Sequence, residues 1–318
     1  MGKVETEPLT PQHFDGRRFY NPGAAPPHGF PDVLRWKFSS RPDPSPRFVA
    51  DVQPTRPPTQ VDGRELRATM VNHATVLLQH DGWNILTDPM WSQRASPLSW
   101  VGPHRRRAPG VRIEDLPRID VVILTHNHYD HLDVPTLRWL IAQRRPTFVV
   151  PIGVGRLVRL LGAGVVHELD WGEACTVGRT KISSVRAVHF SARGLTDRNM
   201  TLWCGYVIDS PDGAIYFAGD TAFGPHFEQI RAQFGAPRLS LLPIGAYEPR
   251  WFMSPVHMGP EQALAAHTVL GSATTIAIHH GTFQLADDAI DKPRQLLLAQ
   301  GIPPSFLLLR NGESASCP

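Results

Sequence analysis

The sequence predicts an α/β protein whose functional groups stand at the ends of its strands. Short apolar runs rich in Val and Ile recur along the chain, and several alternate with stretches at helical spacing. In four places a His or Asp closely follows such a run. One of these continuations, Thr125-His126-Asn127-His128-Tyr129-Asp130-His131, reads His-x-His-x-Asp-His. Sheets of α/β proteins gather their sites at strand ends, so the recurrence points to one shared site.

The N-terminal sixty residues differ from the rest. They hold twelve of the 31 prolines, and proline removes backbone donors that a sheet needs. Residues 1–60 are therefore expected as an irregular arm and 61–318 as the main body. The arm also carries Phe14, Phe19, Tyr20, Phe30, Leu34, Trp36, Phe38 and Phe48, which are expected to pack across that body. Within it Phe30, Val33, Leu34 and Phe38 repeat near helical spacing among Arg35, Lys37 and Arg41, as in a short amphipathic helix. Such a helix suits the protein's own body, a second subunit or a lipid headgroup layer.

Strands begin near Leu66. Ala68–Val71 leads to Asn72-His73-Ala74-Thr75 and then to Val76–Gln79. Asp81-Gly82 is a hairpin signal, and Trp83–Thr87 returns to end at Asp88-Pro89. His73 and Asp88 thus fall at strand ends, where a carboxylate can orient a metal-binding His. A plain turn role suits them too. Asp120–Leu124 runs into the His-rich segment. Asp133 can cap a helix that carries Leu137, Leu140 and Ile141. Thr147–Val150 reads as a strand, and Gly153–Leu161 as a helix stopped by Gly162-Ala163-Gly164. Residues 165–170 and 176–188 are strand-like, the second ending at His189. Ala214–Ala218 closes on Gly219-Asp220-Thr221. Ser240–Ile244 follows, and Thr274–Ile278 runs into His279-His280-Gly281-Thr282.

In an extended loop His126 and His128 point the same way, because side chains alternate with period two. Asp130 and His131 then turn toward a second point nearby. Three imidazoles and a carboxylate directly after a buried strand have no ordinary packing role, and they suit two adjacent metal ions. Imidazole with carboxylate favours zinc, with iron and manganese as alternatives. His189, Asp220 and His279 bring the candidates to seven.

Composition bounds the rest. The chain has 318 residues, 42% hydrophobic and 19% charged, ample for one large domain or two similar halves. Its formal charge of +3 does not argue for nucleic acid, and the basic cluster His104-Arg105-Arg106-Arg107 is short. Cys175, Cys204 and Cys317 are irregularly spaced and form neither a disulfide framework nor a zinc ribbon. No stretch reads as a signal peptide or membrane span, so the cytoplasm is the expected location, with peripheral contact at a membrane surface as an extension.

The chain resembles the metallo-β-lactamase-fold hydrolases and, more narrowly, the N-acyl-phosphatidylethanolamine-hydrolysing phospholipase D group. The resemblance rests on Asn72–Thr75, Leu86–Pro89, Ser92–Pro97, Thr125–Asp133, Phe217–Thr221, Leu242–Met253 (LPIGAYEPRWFM) and Ile278–Phe283 (IHHGTF). It implies a four-layer αββα sandwich of two similar halves, with residues 61–318 as the catalytic domain. It implies two Zn2+ per chain. His126, His128 and His189 would hold the first, Asp130, His131 and His279 the second, and Asp220 would bridge both. His279 and His280 could each ligate; the family pattern, one His before a variable residue and Gly-Thr-Phe, favours His279 and leaves His280 beside the pocket. His257 matches a position near the substrate phosphate. Trp100, in the variable segment Ser96–Pro103, is expected at the substrate pocket.

The implied chemistry is hydrolysis. Two cations sharing a water lower its pKa from ~15.7 toward ~7, and the resulting hydroxide attacks phosphorus in line. Asp130 is expected to orient that nucleophile, so no Ser or Cys is needed. The implied reaction cleaves N-acyl-phosphatidylethanolamine or a related phospholipid and releases phosphatidic acid. A lactonase acting on a sugar-phosphate-like lactone and a metal-binding scaffold without turnover are the alternatives. Expected partners are a phospholipid or other phosphodiester substrate, a transient membrane-surface contact and a second copy of the chain, with no nucleic acid.

Overall fold

The computed structural model describes residues 13–26 and 28–317, so residues 1–12 of the arm lie outside the described residues, as does the side chain of Phe30. The arm carries α1 (Phe30–Ser39). The first half of the body supplies β1 (Leu66–Asn72), β2 (Thr75–His80), β3 (Trp83–Thr87), β4 (Val121–Ile123), α2 (Val134–Gln143), β5 (Thr147–Pro151), α3 (Gly155–Leu160) and β6 (Val165–Leu169). The second half supplies β7 (Ala174–Val177), β8 (Thr180–Val185), β9 (Gly205–Ile208), β10 (Ile215–Phe217), α4 (His226–Phe234), β11 (Leu239–Pro243), α5 (Arg250–Met253), α6 (Pro260–Leu270), β12 (Thr274–Ile278), α7 (Lys292–Gln300) and β13 (Phe306–Leu307). The last strand, β14 (Ser314–Cys317), crosses back to pair with β1.

Turn chemistry decides where strands run antiparallel. Asp81 and Gly82 both take positive φ, 46° and 77°, the two-residue turn that matches strand twist and returns β2 into β3. Parallel neighbours need a crossover instead; α2, α3, α4, α6 and α7 provide it for all pairs but β3–β4, which the long irregular segment 88–120 joins. Each sheet therefore begins antiparallel and ends parallel: β1 to β3 then β3 to β6, and β7 to β10 then β10 to β13.

Period-two alternation sets the layers. Met70, Val76, Leu78, Ile85 and Ile123 meet Tyr206, Ile215, Phe217, Leu241 and Ile276 in one buried layer between the sheets. Their neighbours Leu77, Leu86, Val122 and Phe148 face the other way, onto Leu137, Leu140 and Val158 of α2 and α3. Val207, Tyr216, Leu242 and Ala277 face Phe227, Ala266 and Leu297 of α4, α6 and α7. The result is the expected αββα sandwich. Each fully buried Leu, Ile or Phe contributes about 1.5–3 kcal/mol.

Two local expectations change. The stretch 176–188 is not one strand; it contains the turn of the β7–β8 hairpin, with Gly178 at φ 59°. Asp133 precedes α2 without capping it. Its carboxylate accepts from the backbone N–H and hydroxyl of Ser92, at 2.9 and 2.7 Å, and from Thr136 Oγ1 at 2.5 Å. This ties the start of α2 to the segment after β3.

The described part of the arm packs on the body. Trp36 Nε1 and Ser40 Oγ both donate to Asp287 Oδ1, at 3.0 and 2.6 Å, and the Trp36 ring stacks on Phe252. No helix among the described residues is long and apolar enough to cross a membrane.

Candidate metal centre

The ends of β4, β8, β10 and β12 converge, and with them the seven candidates. A first group forms around His128. Its Nδ1 lies 2.9 Å from His126 Nε2 and 3.2 Å from His189 Nε2. Ligand nitrogens ~2.0–2.1 Å from one tetrahedral ion stand ~3.3 Å apart, so this spacing fits a single ion. A second group forms around Asp130, whose Oδ2 is 3.2 Å from His131 Nε2, 3.3 Å from His279 Nε2 and 3.0 Å from His73 Nε2. Asp220 stands between the groups. Its Oδ2 is 3.2 and 3.0 Å from His131 and His279 Nε2, and 3.7 and 3.9 Å from His189 and His126 Nε2.

Surrounding groups fix which nitrogen of each ring faces inward. Asp88 Oδ1 accepts from the Thr125 backbone N–H at 2.8 Å, and its Oδ2 accepts from Thr125 Oγ1 at 2.6 Å and from His131 Nδ1 at 2.7 Å. Thr125 Oγ1, having spent its proton on Asp88, accepts from His126 Nδ1 at 2.9 Å. His189 Nδ1 donates to the Val256 carbonyl at 2.9 Å. Each of these rings is thus protonated on Nδ1 and turns Nε2 toward the centre. His73 takes φ 48°, which lets its carbonyl accept the His279 N–H at 2.8 Å while its ring reaches Asp130. Gly219, at φ 60°, is required by close packing: a Cβ there would sit 2.6 Å from Thr125 Cγ2.

Electrostatics divides the rings. Burial, reinforced by neighbouring imidazoles, holds His126 well below its ordinary pKa. Burial does the same to His189 and lowers His128 to about 4. These three are neutral at physiological pH, with lone pairs free for a metal. His131 and His279 go the other way. Burial opposes their charge, but Asp220 and the other carboxylates outweigh it and raise His131 well above normal and His279 to about 9. Burial also disfavours charge on Asp130 and Asp220, yet His131 and the rings beside it hold both well below the usual carboxylate range. The two raised histidines supply the positive charge that these carboxylates demand, which a divalent cation would supply better.

The residues fit such cations. His131 Nε2 and Asp220 Oδ1 are buried without an aligned hydrogen-bond partner. A buried polar atom left so costs about 1–3 kcal/mol, which a bound ion removes. The donor set of imidazoles and carboxylates suits zinc, iron or manganese.

The centre opens into a cavity of about 570 Å3, with His128, Asp130 and His257 among its lining and Val33, Trp36, Phe252 and Leu285 on apolar walls. His257 Nδ1 lies 4.0 Å from Asp220 Oδ2. Two expected pocket residues lie elsewhere. His280 lines a separate cavity with Arg107 and Asp291, because the backbone turns at His279, φ 59°, and sends the two side chains apart. Trp100 is 74% exposed and outside the pocket. Arg94 pins its loop by donating to the Ser99 and Gly102 carbonyls at 3.1 and 2.6 Å. Two contributors had escaped the sequence reading. Thr125 is one. The other is Arg193, whose Nη1 donates to the Asn127 and Leu132 carbonyls, both at 2.8 Å, and whose guanidinium stacks on Tyr129. Its partners are backbone atoms, which leave no residue pattern.

A family model described as the beta-lactamase superfamily domain matches residues 83–280. The chain is 42% identical over 247 residues to an uncharacterized protein of Mycobacterium tuberculosis, covering 76% of this chain and 66% of that one. It is 39% identical over 232 residues to N-acyl-phosphatidylethanolamine-hydrolyzing phospholipase D 1 of Caenorhabditis elegans, covering 69% of this chain and 65% of that one. The chain therefore spans just under two thirds of the length of these relatives. Among solved structures, an isothiocyanate hydrolase from Delia radicum gut bacteria superposes with a TM-score of 0.63 at 25% identity, over 78% of this chain and 98% of that one. A metallo hydrolase from Ignicoccus hospitalis shares the fold with a TM-score of 0.59 at 22% identity, over 80% of this chain and 99% of that one.

Proposed function

This chain belongs to the beta-lactamase superfamily domain family, and on that premise we propose that it is a metal-dependent hydrolase and, more narrowly, a binuclear zinc phosphodiesterase acting on N-acyl-phosphatidylethanolamine or a related phospholipid. The observation that carries the reading is the position of Asp220 Oδ2, which faces both ligand groups while Asp130 stands at the cavity they share. His126, His128 and His189 would hold one ion, Asp130, His131 and His279 the other, and Asp220 both. When bound, the two cations supply a deprotonated water at neutral pH and offset charge on the phosphoryl oxygens.

The chain's own groups do the rest. Asp130, fixed by His73, accepts a hydrogen bond from the attacking water and holds it in line with phosphorus. His257, kept neutral by burial that lowers its pKa to about 4, donates a hydrogen bond to a phosphoryl oxygen. The water oxygen bonds to phosphorus, the bond to the headgroup oxygen breaks, and the proton leaves with the headgroup alcohol. The apolar walls at Trp36, Phe252 and Leu285 suit acyl chains and keep bulk water from the linkage. The likeness to the Caenorhabditis elegans phospholipase D supports the substrate class.

The test combines elemental analysis of protein purified without added metal with product identification on a phospholipid panel. Two metals per chain and a phosphomonoester product are expected. A metal content near zero, with turnover intact in chelator, overturns the reading. Asp130→Asn should lower kcat at least about a thousandfold, because it weakens both a metal ligand and the orientation of the nucleophile, while thermal melting stays cooperative.

A further inference from the structure

The metal-centre cavity carries two arginines that the proposed reaction leaves unused. Arg18 comes from the arm and Arg198 from the segment after His189, and both line the cavity with His128 and Asp130. The Arg198 guanidinium lies 5.2 Å from the Phe190 ring centroid, and Phe190 meets His128 edge-on at 4.6 Å. One aromatic ring thus separates this cation from the centre. Burial lowers the pKa of Arg198, and the charge of Arg18 lowers it further. Among the described residues neither guanidinium has a carboxylate bonded to it. Asp15, near Arg18 in sequence, accepts from the backbone N–H groups of Arg17 and Arg18 at 2.9 and 2.7 Å. The acidic residue lining the cavity is Asp130, already surrounded by three imidazoles.

Two guanidinium groups that line one cavity with no carboxylate bonded to either favour an anion between them, even though solvent reaches both, Arg18 being exposed and Arg198 half-buried. Their planar forks match carboxylate and phosphate oxygens. The apolar wall of the same cavity, at Val33, Trp36, Phe252 and Leu285, would take a hydrocarbon chain. We propose that Arg18 and Arg198 form an anion clamp, and that the preferred substrate is an amphiphilic phosphodiester bearing a second anionic group, a carboxylate or a phosphate, a few bonds from the scissile linkage. The proposal rests on the phosphodiesterase reading above and narrows its substrate. It also gives the arm a part in selection, since one half of the clamp comes from it.

Three short-chain phosphodiesters of matched length test this. Their leaving groups are a neutral alcohol, an alcohol with a carboxylate and an alcohol with a phosphate. The holoenzyme should favour at least one anionic substrate in kcat/KM by about ten- to a hundredfold, expressed in KM, as expected for a charge-assisted hydrogen-bonded pair. The preferred arm tells which anion the clamp takes. In Arg18→Ala and Arg198→Ala the ratio of anionic to neutral kcat/KM should collapse toward one, and Arg198→Lys should recover part of it. Equal kcat/KM for all three substrates in the wild type overturns the clamp, as does a preference that survives in the double variant. If no diester is hydrolysed, the reaction reading fails and the clamp is read separately. The same compounds are then titrated against the fluorescence of Trp36 in the cavity wall. Tighter binding of an anionic compound that Arg198→Ala abolishes supports the clamp; equal affinities overturn it.

Discussion

Asp88 holds the centre together without lying in it. It is fully buried, and burial raises its pKa, yet it accepts from Thr125 twice and from His131 once. Asp88→Ala would strand three buried donors at about 1–3 kcal/mol each and free the His131 ring. Metal affinity should fall about ten- to a hundredfold, the usual cost of losing a carboxylate behind a ligating His. Titration against a competing chelator measures this; wild-type affinity would remove the orienting role. His80 makes a separate prediction about acid. It is buried, with both ring nitrogens unpartnered, and burial lowers its pKa from 6.5 to about 4. The unfolded chain binds the proton near 6.5 and the folded ring only near 4, so the stability held by the neutral ring is whole above pH 6.5 and is lost as pH falls toward 4. The effect is on the order of 3 kcal/mol. His80→Leu should flatten this acid limb in thermal melts, and an unaltered limb would assign it to other buried rings such as His226. His279→Ala should cost far more metal and activity than His280→Ala; the reverse ranking would move the ligand. At this scale the sequence was informative where the chemistry was dense. Four side chains of the His-x-His-x-Asp-His segment announced themselves, whereas Thr125 and Arg193 act through a hydroxyl and backbone carbonyls that any loop offers. The divergence of His279 from His280 depends on one backbone angle, which residue types do not encode.

Strands deliver these residues, and the tightest delivery is at the end of β11. The next residues but one, Gly245 and its neighbours, run beside the end of β12, where a Cβ on Gly245 would sit 2.2 Å from the His279 carbonyl oxygen. No rotamer relieves a clash with backbone. Gly245→Ala should therefore push the His279 segment away, with a loss of more than about 2 kcal/mol of stability and of the metal held by the Asp130 group. Metal content and melting temperature would check it, and a variant equal to wild type in both would mean that the two segments slide freely. The elements themselves were largely legible. Runs such as Val121–Leu124 and Ile276–Ile278 are apolar throughout because parallel strands here are covered on both faces. The β7–β8 hairpin was missed because its turn, Gly178-Arg179, interrupts a stretch that stays strand-like on both sides. Asp133 looked like a cap, and a single sequence does not tell that Ser92, forty-one residues earlier, claims its carboxylate.

At the scale of the whole molecule, the two halves build the centre and the arm builds one wall of its cavity. The halves were foreshadowed by ligands recurring after strands in each, and the packing of the arm on the body by its aromatics; its partners Asp287 and Phe252 were not, because nothing in a proline-rich segment names them. That docking changes how a membrane contact is tested. Trp36 lines the cavity and stacks on Phe252, so Trp36→Ala should lower activity on soluble and lipid substrates alike. The apolar side chains free to meet lipid are others. Phe38 is 88% exposed on α1, and Leu195, beside the same cavity, is fully exposed at 102%. Arg35 and Lys37 accompany Phe38 on the helix, stacked on Trp251 and Trp36, and would face the phosphates of a bilayer that met it. The apolar area is small, so contact with a bilayer would be weak and reversible, and weaker at high salt. Phe38→Asp combined with Leu195→Asp should therefore reduce turnover on anionic vesicles, raise the salt sensitivity of what remains and spare a short-chain soluble diester. A parallel loss on both substrates would make these side chains part of the cavity's structure, and no loss on either would leave the arm as a wall of the cavity with no role at a lipid surface.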